Sequence, residues 1–145
     1  MLLTIVVGIL LIVLTVVVQG FGTLYLIKRF DHYHHNLTDR NFRGKSLSLL
    51  VYTTIFLIVI HLFQASLWAG SYMILPEIEF ETFEKSFYFS LVTFTTLGYG
   101  DITIASESRI LAGLEAINGI ILLGWSTAFM FAVFREVIKS SLKEN

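Results

Sequence analysis

Thr95-Thr96-Leu97-Gly98-Tyr99-Gly100-Asp101 is the stretch on which the reading of the whole chain turns. Two glycines at alternate positions permit a backbone that a Cβ resists, including positive φ. Such a backbone turns successive carbonyls toward one side instead of pairing them with each other. Copies of the loop arranged in a ring would then stack cages of oxygen able to replace the water around an ion. A bare Gly-x-Gly is more often a turn between two helices. Here the stretch follows a short amphipathic segment and lies between two apolar runs of membrane length, which favours the ion-lining reading.

Working outward, the composition sets the class. The chain has 145 residues, of which 55% are hydrophobic and only 14% charged, with a formal net charge of −1. Mean hydropathy is +0.76. A water-soluble domain of this size could not cover so much apolar side chain, so the solvent for much of it must be lipid. Near-zero net charge argues against nucleic acid as a partner. The absence of cysteine rules out disulfide and thiolate chemistry.

Residues 2–27 form one apolar run, long enough to span a bilayer with some tilt at about 1.5 Å per residue. No Lys or Arg precedes it, and Lys28-Arg29 follows in the manner of a stop-transfer anchor, so it reads as a retained helix and not a signal peptide. Residues 28–46 read as a basic, histidine-bearing loop. A second run, 47–75, stops at Pro76, which cannot continue a helix. Residues 82–95 read as a short helix with Thr82 as N-cap and Phe83, Phe87, Leu91 and Phe94 at helical spacing. It is too short to span and suits a re-entrant segment. The filter-like loop takes 96–101, a third spanning run takes 110–134, and a tail takes 136–145. The expected fold is an all-α membrane protein with three transmembrane helices, a re-entrant pore helix and a selectivity-filter loop, assembled as a tetramer. Residues 47–135 make up its pore domain.

The basic residues orient it. Lys28, Arg29, Arg40, Arg43 and Lys45 lie in the first connection, and Arg135, Lys139 and Lys143 near the C-terminus. The region between the second and third spans holds only Lys85 and Arg109. The loop and tail are therefore expected in the cytoplasm, with the N-terminus and the filter mouth outside.

Residues 96–101 resemble the filter of potassium channels in every position but one, where Leu97 stands for the usual Val or Ile. The resemblance is to small prokaryotic channels of the two-transmembrane-plus-pore-loop superfamily and extends over about residues 47–135, with residues 1–27 an extra helix. It implies a passive potassium-selective channel, not an enzyme, in the cell's inner membrane, with potassium as permeant ion and no cofactor. It implies a homotetramer in the lipid bilayer, because the motif occurs once and one loop cannot enclose an ion. It assigns ion-binding carbonyls to Thr96, Leu97, Gly98 and Tyr99, with Gly100 completing the loop and Asp101 its support. Tyr88 and Phe89 fall where the family often has tryptophans, and Val92 where some members carry a glutamate that pairs with the aspartate. These departures imply a less tightly held filter. Gly119 falls at the family's hinge, and Gly124 is a second small residue; close helix packing explains both glycines equally well. From Gly119 the pattern turns Ile120, Leu123, Thr127 and Phe131 toward the cavity, with Phe131 as an apolar constriction. A weakly selective cation channel and a non-conducting modulatory subunit remain as alternatives, and an unidentified regulatory partner stays open.

Polar residues at membrane depth are the remaining signals. Glu115 is expected either behind the filter, bonded to pore-helix hydroxyls such as Thr93 or Thr95, or near the outer water. His61 and Gln64, one turn apart, read as an interhelical hydrogen bond or as a proton sensor. His32, His34 and His35 could bind metal or sense protons, although a linear cluster seldom closes a site by itself. A membrane oxygenase would need several such histidine boxes, and the chain has four histidines in total. Glu77, Glu79, Glu81, Glu84 and Glu107 would form an acidic rim at the outer mouth. No span carries Arg or Lys at three-residue spacing, so no voltage-sensor helix is expected.

Overall fold

The computed structural model describes residues 2–35, 42–75, 80–104 and 108–142, and their side chains except those of 31–35, 42–46 and 140–142. Among the described residues there are four helices: α1 (Leu2–His35), α2 (Phe42–Ile74), α3 (Phe83–Phe94) and α4 (Arg109–Leu142). Three of them hold a stretch long and apolar enough to cross a membrane: Leu2–Phe30, Leu47–Ile74 and Arg109–Lys139. Mean hydropathies there are 2.9, 2.0 and 1.8. At 12 residues, α3 reaches only about 18 Å, far short of the roughly 30 Å of hydrocarbon. The chain is an all-α membrane protein.

The long helices outrun their apolar stretches. The loop expected over 28–46 is helical through His35 and again from Phe42, and α4 continues past 134 to Leu142. Residues 28–35 contain neither Gly nor Pro, so leaving lipid does not end the helix. Pro76, Glu77, Glu79 and Glu107 lie outside the described residues, as do the side chains of His32, His34 and His35.

α3 begins where its cap predicts. Thr82 has extended backbone (φ −140°, ψ 151°), and its side-chain oxygen accepts from the Lys85 amide. Lys85 also pairs with Glu81, holding that exposed carboxyl below its ordinary value. The buried face of α3 is not the expected phenylalanine stripe. It is Ser86, Phe89, Ser90 and Phe94, of which Phe94 belongs to the helically spaced set; Phe87 and Leu91 are half-buried, and Phe83 is half exposed and stacks on Phe87. Ser86 Oγ donates to the Ala69 carbonyl at 2.8 Å, and Ser90 Oγ lies 2.7 Å from that of Ala65. Small residues let the two backbones approach, and in lipid an apolar stripe gains little by turning inward.

The core joins Trp68, Tyr72 and Leu75 of α2 to Phe89 and Phe94 of α3 and Leu111 and Leu122 of α4. α1 is part of this assembly, not a detached anchor. A Cβ on Gly8 would lie 2.5 Å from Leu114 Cδ1, and one on Gly22 would lie 2.2 Å from Ile60 Cδ1. Thr15, Gln19, Thr23 and Leu26 of α1 are buried.

Candidate ion-conducting site

The filter-like loop leaves α3 through its C-cap. Thr95 is still right-handed, at φ −81° and ψ −1°, and its Oγ1 donates back to the Leu91 carbonyl at 2.7 Å. The backbone then departs from the helix. Thr96, Gly98 and Gly100 take φ of +58°, +58° and +77°. Left-handed residues at alternate positions turn successive carbonyls the same way, where an ordinary strand would alternate them. The glycines take this conformation freely. Thr96 does so against its Cβ, a strain of about 1–2 kcal/mol that the surroundings must hold.

The α3 end supplies part of that hold. Thr96 N–H donates to the Thr93 carbonyl at 2.9 Å, and the amides of Leu97 and Gly98 donate to the Val92 carbonyl at 2.9 and 3.3 Å. These bonds occupy orphan carbonyls of the helix end with loop amides. Asp101 supplies another part, accepting from the Tyr88 hydroxyl at 2.8 Å. Asp101 therefore has a partner on α3 although Val92 is apolar. The bond to Asp101 pushes the Tyr88 phenol above its ordinary value. Phe89 has no polar role here: it is buried edge-on to Tyr72, at 5.2 Å between ring centroids. Between loop, α3 and the start of α4 lies a cavity of about 470 Å³, lined in part by Tyr88, Val92, Gly98, Asp101 and Arg109. Leu97 and Tyr99 remain 55% and 66% exposed in the single chain.

Glu115 lies behind α3 and is fully buried. The hydroxyls that meet it belong to Ser90 of α3 and Tyr72 of α2, not to Thr93 or Thr95. Tyr72 donates to Oε2 at 2.5 Å, and Ser90 Oγ lies 2.5 Å from Oε1. Ser90 has one proton and faces two acceptors, Glu115 Oε1 and the Ala65 carbonyl. A proton on Oε1 supplies the missing donor, with Ser90 then donating to Ala65. A neutral Glu115 so arranged satisfies the Tyr72, Ser90 and Ala65 contacts together.

On α4, Gly119 touches the end of α3. A Cβ there would lie 1.9 Å from the Phe94 carbonyl oxygen, so only glycine admits this contact. Gly124 has open space around it. Ile120, Thr127 and Phe131 are exposed and Leu123 is half-buried, along a helix unbroken through both glycines. Asn118 donates to Thr15 Oγ1 of α1 at 2.8 Å. His61 and Gln64 bond each other at 3.0 Å and reach both α1 and α4. Among these partners, Tyr72, Ser90, Thr15, Gln19 and Ser126 were not singled out from sequence. A signal for α1 did exist: Thr15, Gln19 and Thr23 recur every four residues in an otherwise apolar run.

No curated protein and no solved structure matches the chain. Residues 46–136, more than half of it, match a family model described as Ion channel. That match takes in α3, the loop after it and the two spanning helices on either side, and it leaves α1 outside. With its fold and this match together, the chain belongs to that ion-channel family and is a multi-pass membrane protein.

Proposed function

We propose that the chain is the subunit of a potassium-selective channel, conducting passively through a ring of four Thr96-Leu97-Gly98-Tyr99-Gly100 loops. The observation that carries the reading is the alternation of positive φ at Thr96, Gly98 and Gly100 within a motif that begins where a short helix ends. Carbonyls of Thr96, Leu97, Gly98 and Tyr99 would offset the ion's dehydration. Tyr99 would hold the loop from outside the axis. Four copies are needed because each chain brings one loop, and the exposed Ile120, Thr127 and Phe131 of α4, with half-buried Leu123, would then face a common cavity. Basic residues put the 28–46 segment and the C-terminal tail in the cytoplasm and the loop's mouth outside. The negative end of α3 then points at the cavity and favours a cation there.

A weakly selective cation pore of the same architecture is the second reading. It is favoured by Val92, an apolar side chain in the lining of the cavity beside the loop. The reversal potential of the purified protein in a planar bilayer, with potassium on one side and sodium on the other, separates the readings. A reversal near the potassium equilibrium potential is expected. A clear current reversing near zero would make the pore weakly selective. Absence of current at all voltages in wild type and in Phe131→Ala, which removes the apolar constriction, would overturn conduction and leave a modulatory subunit.

A further inference from the structure

Gln64, Gln19, Ser126 and His61 close a ring of hydrogen bonds across three helices. Gln64 Nε2 donates to Gln19 Oε1 and to the Thr15 carbonyl, both at 3.1 Å. Gln19 Nε2 donates to Ser126 Oγ at 2.9 Å. Ser126 Oγ lies 2.9 Å from His61 Nε2, and His61 Nδ1 lies 3.0 Å from Gln64 Oε1. Counting protons sets the sense of the ring. Both Gln64 amide protons are committed to oxygens, so its Oε1 can only accept, and His61 Nδ1 carries the proton. His61 Nε2 is then a bare lone pair, and Ser126 fills it. Ser126 in turn accepts from Gln19. Every bond runs the same way round, and His61 is held as the Nδ1–H tautomer, the minor form of free imidazole in water.

This ring accommodates one protonation state. A proton added at Nε2 aims a second donor at the Ser126 hydroxyl, which must turn its own proton away. No ring member is an anion, so the imidazolium would lack a counter-charge at membrane depth. The titratable groups on the packed elements stand off along their helices. Those with described side chains are Tyr25, Lys28 and Arg29 on α1, Tyr52 and Tyr72 on α2, Glu84, Lys85 and Tyr88 on α3, and Arg109, Glu115, Arg135, Glu136 and Lys139 on α4. The nearest of them in sequence is more than about a turn and a half from the ring residue on its own helix. Glu115 is engaged by Ser90 and Tyr72, and Tyr25 bonds Tyr52.

We infer that this ring is a proton-released clasp: neutral His61 holds α1 against α2 and α4, and protonated His61 frees it. The clasp sits where its release reaches the pore unit. The His61 ring lies 5.9 Å from the ring of Phe94, the last residue of α3, whose carbonyl rests on Gly119. The clasp itself does not depend on what the loop conducts, so its test needs no current.

The test uses the full chain in lipid vesicles, labelled with ¹⁵N-histidine, with His61→Gln identifying the His61 signals. At about pH 7.5 the wild type is expected to show the Nδ1–H tautomer, and Ser126→Ala to shift it toward Nε2–H. Lowering the pH to about 5.5 should accelerate amide exchange across residues 11–26 about tenfold after correction for the intrinsic rate, and His61→Gln should abolish that change. Should His61→Gln fail to fold, Gln19→Met opens the ring from α1 and should bring exchange at neutral pH to the wild-type acidic level. An Nε2–H tautomer in the wild type would overturn the inference. So would exchange indifferent to pH, acceleration that survives His61→Gln, or neutral-pH exchange unchanged by Gln19→Met.

Discussion

Residues 95–101 and the Ile120–Thr127–Phe131 face of α4 are exposed in the single chain, whereas the surface behind α3 is closed by buried hydrogen bonds. Ile120 and Phe131 are 60% and 67% exposed, while Glu115, Ser90 and Gln64 are fully buried. The front exposes the loop backbone together with Leu97, Tyr99, Ile120, Thr127 and Phe131. The back is side-chain polar groups that mostly find partners within the chain, Trp68 Nε1 and Asn118 Oδ1 being the buried exceptions among the described residues. The contrast teaches where each surface is completed. In the proposed assembly the loop would meet further copies in front of it, whereas its support is made within the single chain. Substitutions behind α3 should therefore act on folding first, and those at its front on the loop's behaviour first.

The largest test of that division is Glu115. Glu115→Ala would leave the Tyr72 hydroxyl unpaired and open a void behind α3, costing about 3–5 kcal/mol. The thermal midpoint of the purified protein should fall steeply. Glu115→Gln keeps a donor for Ser90 and an acceptor for Tyr72, because the neutral acid and the amide share that pattern. Its cost should stay within about 1 kcal/mol. An amide as damaging as alanine would mean that the site holds a carboxylate, and the back would then be a charged support.

Gly119 is next. Gly119→Ala forces a methyl into the Phe94 carbonyl, and backbone yields less than a flexible side chain. A loss of about 1–3 kcal/mol is expected, with the end of α3 displaced. Gly124→Ala, in open space, should be neutral or slightly stabilising, by up to about 1 kcal/mol from helix propensity. Equal thermal shifts for the two would erase the distinction between a packing glycine and a free one.

The sequence made one half of this comparison far more legible than the other. Three spans, the length of α3 and its Thr82 cap follow from hydropathy and from capping chemistry, both local properties. The loop motif is local too, and the glycines announce two of its three left-handed residues. Thr96 does not announce itself, because its strain is imposed by the α3 end and not by its side chain. The back was harder to read. Phe83, Phe87, Leu91 and Phe94 share helical spacing, yet of these only Phe94 is fully buried, and Ser86 and Ser90 face α2. In a chain bathed in lipid, apolarity no longer separates inside from outside, and the informative residues are the polar ones that must find each other. Glu115, His61 and Gln64 stood out for that reason. Their partners Tyr72, Ser90, Gln19 and Ser126 did not, because hydroxyls and a lone amide are unremarkable until three helices bring them together.

Tyr88 and Asp101 join the two halves, and their expected effect on stability is the smallest. The bond between them is exposed, so Tyr88→Phe should leave the thermal midpoint nearly unchanged. What it removes is the side-chain tie from α3 to the Asp101 end of the loop. In a channel of the proposed kind, that should appear as current that declines during a sustained opening faster than in the wild type. The pH dependence has a defined sign. Because Asp101 raises the Tyr88 phenol above its ordinary value, the bond is intact below about pH 10 and is lost only as pH climbs through the raised value. Wild type and Tyr88→Phe should therefore differ at neutral pH and converge under strongly alkaline conditions on the outer side. A variant that lowered the thermal midpoint as Glu115→Ala does would place this tie among the folding contacts. The boundary between front and back would then run through the loop itself.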